Sequence, residues 1–517
     1  MKRRSFIRTL GAVSVPFTVG MNTFTAVGRN PLFDLMDGDS DKVLVLIQLQ
    51  GGNDGLSTLI PLDQYGALTQ VRNNILMPEN SILPLTELNG LHPAMGSMKE
   101  VWEKGKLNVV QSVAYPNQNR SHFRSTDIWN TASEPDEFLT SGWMGRYFDL
   151  NHSAFPEGYP NEENPDPFAL TIGSIISETC QGVYTNYSMT VVDAFEPGSV
   201  NIGEQGEVPN TCYGNELTFI REMARQTNAY SEVISTAAEA GNNLSEKYSN
   251  ENLSRKLQTV ARLISGGLKT KVYVVQLGGF DLHGSMVDSD VGDTGMQADL
   301  LRTLSDAICA FQDDLELLGI DERVVGMTYS EFGRRIRSNE SYGADHGTAA
   351  PLFVFGSCVE PGIIGDNPVI NPEGDSTAGV PMLYDFRSVY ASILMDWFSV
   401  SQEDVETVLF EQFQHLPIIR GCEAVGSGLA QETIDFTLYP NPASNYFEIE
   451  LNKVEANQQL HISLFDVLGS ELKVISSRKF DAGQHKIKVD LHDLVAGSYY
   501  LRVAGKYGVR TQKVVKQ

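Results

Sequence analysis

Val43-Leu44-Val45-Leu46-Ile47-Gln48-Leu49, running through Gln50 into Gly51-Gly52-Asn53-Asp54, is the stretch on which the fold turns. A continuous apolar run of this length reads as a strand buried on both faces, and such strands belong to parallel sheets covered by helices. The texture recurs in Val272 to Leu277 before Gly278-Gly279-Phe280-Asp281-Leu282-His283, and in Val324 to Thr328 before Ser330-Glu331-Phe332-Gly333-Arg334. A further run, Leu352 to Phe355, is preceded rather than followed by its polar knot, Asp345-His346-Gly347. In such sheets ligands sit beyond the carboxyl ends of the strands, where loops converge. Carboxylates and imidazoles far apart in sequence are therefore expected to meet at one edge.

With 517 residues, 41% hydrophobic and 20% charged, the chain has length for two or more units and a sizeable core. Strand-like runs alternate with helical stretches across residues 31–422, an α/β pattern. Leu300, Leu301, Leu304, Ile308, Phe311, Leu315 and Leu318 recur at helical spacing and predict a crossover helix packed on a mostly parallel sheet. Residues 216–268 are helix-rich and read either as an excursion over the sheet edge or as a peripheral helix pair. Residues 423–434, with Gly426, Ser427 and Gly428, form a linker. Beyond it, over 435–517, Phe447 to Leu451, His461 to Phe465, Lys486 to Val489 and Tyr499 to Val503 alternate as short strands of a small all-β sandwich.

Residues 1–28 have the form of a twin-arginine signal peptide: Arg3-Arg4 precede Phe6 and a short, mildly apolar stretch. The expected partner is the twin-arginine translocase, which exports folded proteins, and the segment is too short and polar to be a transmembrane span. The five cysteines lack CxxC spacing, so no zinc knuckle or disulfide framework is indicated, and Cys180 with Cys212 is the pair expected to oxidise after export. A formal net charge of -26 excludes nucleic acid as a partner and suits a soluble protein that tolerates cations.

Leu438-Tyr439-Pro440-Asn441-Pro442-Ala443, Leu464 to Gly469, Leu494 to Tyr500 and the basic end Lys513 to Lys516 resemble the C-terminal sorting domain of the type IX (Por) secretion system. The resemblance implies a Gram-negative cell, the type IX machinery as partner, and a secreted or surface location.

Gly51 to Gly55, Leu91 to Ala94, Tyr115 to Ser125 with Asp127-Ile128-Trp129, Gly279 to His283, Ser330 to Arg334, Asp345-His346-Gly347 and Asp385-Phe386-Arg387 resemble the family of unknown function DUF1501. That family is placed in the alkaline phosphatase and sulfatase superfamily, which implies an alkaline-phosphatase-like α/β fold and divalent metal at the strand ends. Carried onto this chain, the resemblance makes Asp54, Asp281, His283, Glu331, Asp345 and His346 the metal ligands. Zinc suits such mixed nitrogen and oxygen donors, and calcium, magnesium or manganese suit oxygen-rich variants. Ser121, at a helix start, takes the nucleophile position, with Ser125 as its competitor and a plain helix cap as its bland reading. Arg120 or Arg124 would hold the oxygens of the transferred group. The chain departs from the superfamily in its close Asp281-x-His283 spacing and in placing Asp-His-Gly a loop later than usual.

His122 and His92 have the chemistry of an acid or base near neutral pH. No C/S-x-P-x-R frame appears, which speaks against formylglycine sulfatase chemistry, and no G-x-S-x-G, Walker or dinucleotide fingerprint accompanies a suitable strand and helix. The expectation is an exported metal-dependent hydrolase of small or polymeric anionic phosphate or sulfate esters; the alternative is a catalytically inactive surface binding or assembly protein on the same fold.

Overall fold

The computed structural model describes residues 16–19, 22–25, 41–201, 207–288, 292–411, 413–420 and 422, and most of 436–516. Arg3 and Arg4 of the expected signal and the expected linker at 423–434 lie outside the described residues. The chain divides into an α/β unit, Asp41–Val425, and a β unit that holds the C-terminal strands.

The opening run is strand β1, Val43–Gln50, with all but its last residue buried. Successive side chains alternate between the faces: Leu44 and Leu46 join one core, and Val43, Val45, Ile47 and Leu49 the other. β2 is Leu107–Ala114, β3 Ala169–Ile172, β4 Ser188–Val191, β5 Val272–Gly278, β6 Val324–Tyr329, β7 Ala350–Phe355, β8 Gly362–Ile364 and β9 Tyr384–Asp385. They form a nine-stranded sheet in the order β8-β2-β7-β6-β1-β5-β3-β4, with β9 also pairing β2. Only β7 runs against its neighbours, pairing antiparallel with β6 and β2 while every other pair is parallel. This reversal explains the order of the polar knots. β1, β5 and β6 end at the rim where β7 begins, so a knot before β7 meets knots after the other three.

Helices α1 (His122–Thr131) and α5 (Phe386–Ser392) cover one face, where Trp129 stacks on Phe386 with ring centroids 4.4 Å apart. On the other face lie α3 (Asn252–Ser265) and the expected crossover, α4 (Met296–Leu318). The 216–268 segment is more central than either reading of it: α3 buries Leu253, Leu257, Val260 and Ile264, and the second half of α2 (Cys212–Ala240) buries Ile234, Ala237 and Ala238. No helix among the described residues is long and apolar enough to cross a membrane.

The C-terminal unit packs two antiparallel sheets over one core. β10 (Phe436–Tyr439), β11 (Tyr446–Val454) and β14 (Gly483–Asp490) form the first, and β12 (Gln458–Phe465), β13 (Glu471–Phe480), β15 (Gly497–Gly505) and β16 (Gly508–Lys516) the second. The mostly parallel α/β sheet and the small β-sandwich are thus as the sequence indicates.

The expected disulfide is not the one formed. Cys358 is bonded to Cys422, while Cys180 is a buried and Cys212 an exposed free thiol. The cause is a long-range return of the chain: Ile418 to Arg420 lie beside Cys358 to Glu360, with Glu360 N donating to Ile418 O at 2.7 Å and Arg420 N to Cys358 O at 2.9 Å.

Candidate metal centre

Four segments reach the rim. After β1 the chain turns through Gly51 and Gly52 at φ of 121° and 83°. A Cβ would lie 2.3 Å from Asp281 N at Gly51 and 2.4 Å from the Phe332 ring at Gly52, so both turns need glycine. The absent side chains let the β5 and β6 loops close over the end of β1.

Within this space His122, Asp281 and His346 bring ligand atoms within 4.8 Å of one another. Asp281 Oδ1 lies 3.4 Å from His122 Nε2, 3.2 Å from His283 Nε2 and 3.3 Å from His346 Nε2, and the last two nitrogens are 2.9 Å apart. Each imidazole is held from behind by an acceptor at Nδ1. His122 Nδ1 donates to Glu331 Oε1 at 2.8 Å, His283 Nδ1 to Asp345 Oδ1 at 3.1 Å and His346 Nδ1 to the Arg120 carbonyl at 2.8 Å. A proton on Nδ1 leaves the lone pair of a neutral ring on Nε2. The Nε2 atoms of all three rings therefore face one carboxylate oxygen.

His122 Nε2 is buried and makes no hydrogen bond. Acceptors facing acceptors repel unless a cation lies between them, and the three separations from Asp281 Oδ1, 3.2, 3.3 and 3.4 Å, are close to the edge of about 3.3 Å between donors that share one ion at about 2.0–2.1 Å. The outward bonds of the rings match the support that metal-bound histidines receive. The donor set fits a divalent metal.

Arg334 stands behind Asp281. Fully buried, it donates from Nη2 to Asp281 Oδ1 at 2.8 Å and to Phe280 O at 2.9 Å, from Nε to Gly52 O at 2.8 Å, from Nη1 to Ala344 O at 3.0 Å, and also to Gly51 O. Burial pushes the Asp281 carboxyl up, but the Arg334 guanidinium, with His346 and His122 beside it, outweighs burial and holds the group at about 2. Burial lowers the His346 pKa, aided by Arg334 and His122 and opposed by the Arg120 carbonyl and Asp281. Burial raises the Asp345 carboxyl, and His283, Asn339 and Arg335 bring it below its ordinary value.

Of the six ligands inferred from the sequence, the structure brings Asp281, His283 and His346 together. Glu331 and Asp345 stand one layer back, orienting His122 and His283. Asp54 is elsewhere: buried, it pairs with the buried Arg72 at 3.0 Å and accepts from Ser57 Oγ at 2.7 Å. That ion pair corrects its assignment as a ligand, because both carboxylate oxygens are already committed within the core. His122, expected as an acid or base, lies with Nε2 3.4 Å from Asp281 Oδ1.

Ser121 is exposed and stands at the N-cap of α1 with no capping bond from its side chain, its backbone N–H donating to Asn119 Oδ1 at 2.8 Å. The competing Ser125 is sealed, bonded to Tyr115 Oη at 2.8 Å and to the Glu331 carbonyl. Arg124 cannot serve an oxyanion, for its guanidinium is spent on Asp127, Ser133 and the carbonyls of Glu134, Pro135 and Glu137. Arg120 donates from Nη1 to Thr377 O at 3.0 Å. His92 is a structural histidine, 1% exposed, with Nδ1 accepting from Ala94 N at 3.1 Å and Nε2 3.4 Å from Gly292 O.

The family described as "Protein of unknown function (DUF1501)" matches residues 214–407, and "Secretion system C-terminal sorting domain" matches residues 437–517. No curated protein matches the chain. Among solved structures it is similar to a protein in the alkaline phosphatase superfamily from Vibrio parahaemolyticus, at 9% identity and a TM-score of 0.32 over 91% of this chain and 78% of that one. It is also similar to the PsFucS1 sulfatase from Pseudoalteromonas sp., at 8% identity and a TM-score of 0.32 over 90% and 86% of the two chains. The sorting domain implies the type IX secretion machinery as a partner and a secreted or cell-surface location in a Gram-negative bacterium. The segment that matches DUF1501 carries Asp281, His283, Glu331, Asp345 and His346, and the segment that matches the secretion system C-terminal sorting domain follows it.

Proposed function

We propose that the α/β unit is an exported, metal-dependent hydrolase of phosphate or sulfate esters, led across the inner membrane by the twin-arginine segment. One observation carries the reading: the Nε2 atoms of three imidazoles lie 3.2–3.4 Å from the carboxylate Oδ1 of Asp281. His122, His283, His346 and Asp281 would hold the ion, and nitrogen-rich donors of this kind favour zinc. When bound, a divalent ion supplies Lewis-acid stabilisation of charge on the transferred group.

The chain's own residues supply the rest. Ser121 lies between Arg120, whose carbonyl orients His346, and His122, whose ring faces Asp281. Its hydroxyl is not spent on capping, and the N-terminus of the ten-residue α1 favours negative charge there, as an attacking alkoxide or an anionic ester requires. Arg120 is the guanidinium available for nonbridging oxygens.

The test is metal content by inductively coupled plasma mass spectrometry on exported protein, wild type against His346→Ala/Asp281→Ala, followed by assays of zinc-loaded protein on aryl phosphates and sulfates. One ion per chain, lost in the variant, together with turnover that Ser121→Ala abolishes, is the expected result. Folded wild type that takes up no zinc, manganese or calcium would sink the reading. Stoichiometric metal without turnover of either ester class would leave the binding protein.

A further inference from the structure

β4 closes one end of the nine-stranded sheet: it pairs in parallel with β3, and no strand among the described residues pairs with its other side. Natural sheets shield such an edge from stray strands with charged residues, lysine above all. Here the sequence has neither lysine nor arginine between Arg146 and Arg221, a stretch that holds both β3 and β4. The charged groups that flank the edge in sequence are acids. Glu178, Asp193 and Glu196 are exposed, and none of them forms an ion pair among the described residues. Arg262 of α3 reaches this part of the molecule, but its guanidinium lies over the Phe195 ring, 4.9 Å from the centroid, and donates from Nε to Ala238 O at 2.6 Å.

Apolar side chains bracket the edge. Shortly before β4 a tight turn presents Val183 and Tyr184, 64% and 79% exposed, and directly after β4 comes Val192, 79% exposed. The turn is fixed in place: Gly182 N donates to Thr185 O at 2.8 Å, Val183 N to Asp149 Oδ2 at 2.9 Å and Tyr187 Oη to Asp149 Oδ1 at 2.8 Å. An open strand edge, apolar groups at both its ends and acids without counter-charge thus coincide in one segment of the chain.

We infer that the β4 edge is a docking site for an extended cationic segment of a partner protein, which adds as a further strand, sets apolar side chains against Tyr184 and Val192, and brings lysine or arginine to Glu178, Asp193 and Glu196. Reaching both ends of the edge takes about eight residues at about 3.3 Å each. Charge selects this occupant. A second copy paired about a two-fold axis would set the same acids against each other, and an anionic lipid surface would meet them with its own negative charge. The inference does not rest on the hydrolase reading.

Fluorescence anisotropy of the full chain with labelled ten-residue peptides tests it at physiological salt. One probe alternates lysine with valine, a second alternates lysine with serine, a third alternates glutamate with valine, and a fourth is the first with every peptide nitrogen methylated. The lysine–valine peptide is expected to bind and the glutamate–valine and methylated peptides are not, because one lacks the charge and the other the backbone donors. Tyr184→Ser/Val192→Ser, at exposed positions, should weaken binding of the lysine–valine peptide by about tenfold. Glu178→Lys/Glu196→Lys should abolish it while the unfolding midpoint stays put. Equal affinity for the lysine–serine or methylated peptide would mean attraction of any polycation to an acidic protein, and would overturn the inference. So would binding of the glutamate–valine peptide, or sedimentation showing a dimer that Tyr184→Ser/Val192→Ser dissociates, since the face would then belong to a second copy.

Discussion

The Arg334 guanidinium, wholly buried, donates to Asp281 Oδ1 at 2.8 Å, while the Asp281 side chain is half exposed. A core cation thus points one carboxylate oxygen toward the three imidazoles. Arg334→Met leaves the carbonyls of Gly51, Gly52, Phe280 and Ala344 without their donor, and should cost roughly 3 kcal/mol or more in urea unfolding along with the metal. Arg334→Lys keeps the charge but not the fork, and should cost about half as much.

Asp54 and the metal-facing donors should separate cleanly in mutants. Asp54→Ala strands the buried Arg72 and is expected to cost about 3–5 kcal/mol of stability. His283→Ala, at a half-exposed side chain, should change stability by less than about 1 kcal/mol yet lose bound metal. Asp345→Asn, which weakens the support of His283 Nδ1, should lower zinc affinity about 10–100-fold. Metal content and unfolding midpoints of the same preparations check all three.

His92 gives stability an acid limb. Burial is the main cause that lowers its pKa from 6.5 to about 4, so between those values the unfolded chain binds more protons than the folded one. Its contribution is therefore whole above pH 6.5 and falls as the pH drops toward 4, by about 3 kcal/mol in all. Urea midpoints across that window should show the decline, and His92→Gln should flatten it.

Oxidised and reduced protein should differ in stability. The Cys358–Cys422 bond spans a sequence separation of 64, for which loop closure predicts about 4 kcal/mol. The Cys358→Ser/Cys422→Ser variant should unfold at correspondingly lower denaturant. In the native wild type a thiol reagent should label Cys212 rapidly and leave the buried Cys180 and Cys309 untouched.

The strands were legible because their apolar runs are local: Val43 to Leu49 shows its burial residue by residue. The rim was legible in part for the same reason, since Asp281, His283 and His346 each border such a run. What escaped was pairing across the chain. His122 turns its Nε2 toward Asp281 because Glu331, 209 residues away, takes its Nδ1, and no spacing rule reports that. Asp54 looks like a ligand until Arg72 is seen beside it, 18 residues on and equally buried. Cys180 and Cys212 are near in sequence, yet the bond forms where a returning segment lays Arg420 against Cys358.

The reversed β7 has a bearing on how the centre can vary. Because β6 leaves and β7 enters at one rim, Glu331 and His346 stand at the two feet of a single loop, pinned where Gly347 N donates to Gly333 O at 2.8 Å. The crown of that loop is tied instead to the β5 loop, through Asn339 Nδ2 to His283 O at 2.8 Å and Met286 N to Tyr342 O at 2.8 Å. An insertion at the crown would be felt at His283 and spare His346. The feet hold Glu331 and His346 in a fixed relation, and the crown couples the length of the loop to His283 alone.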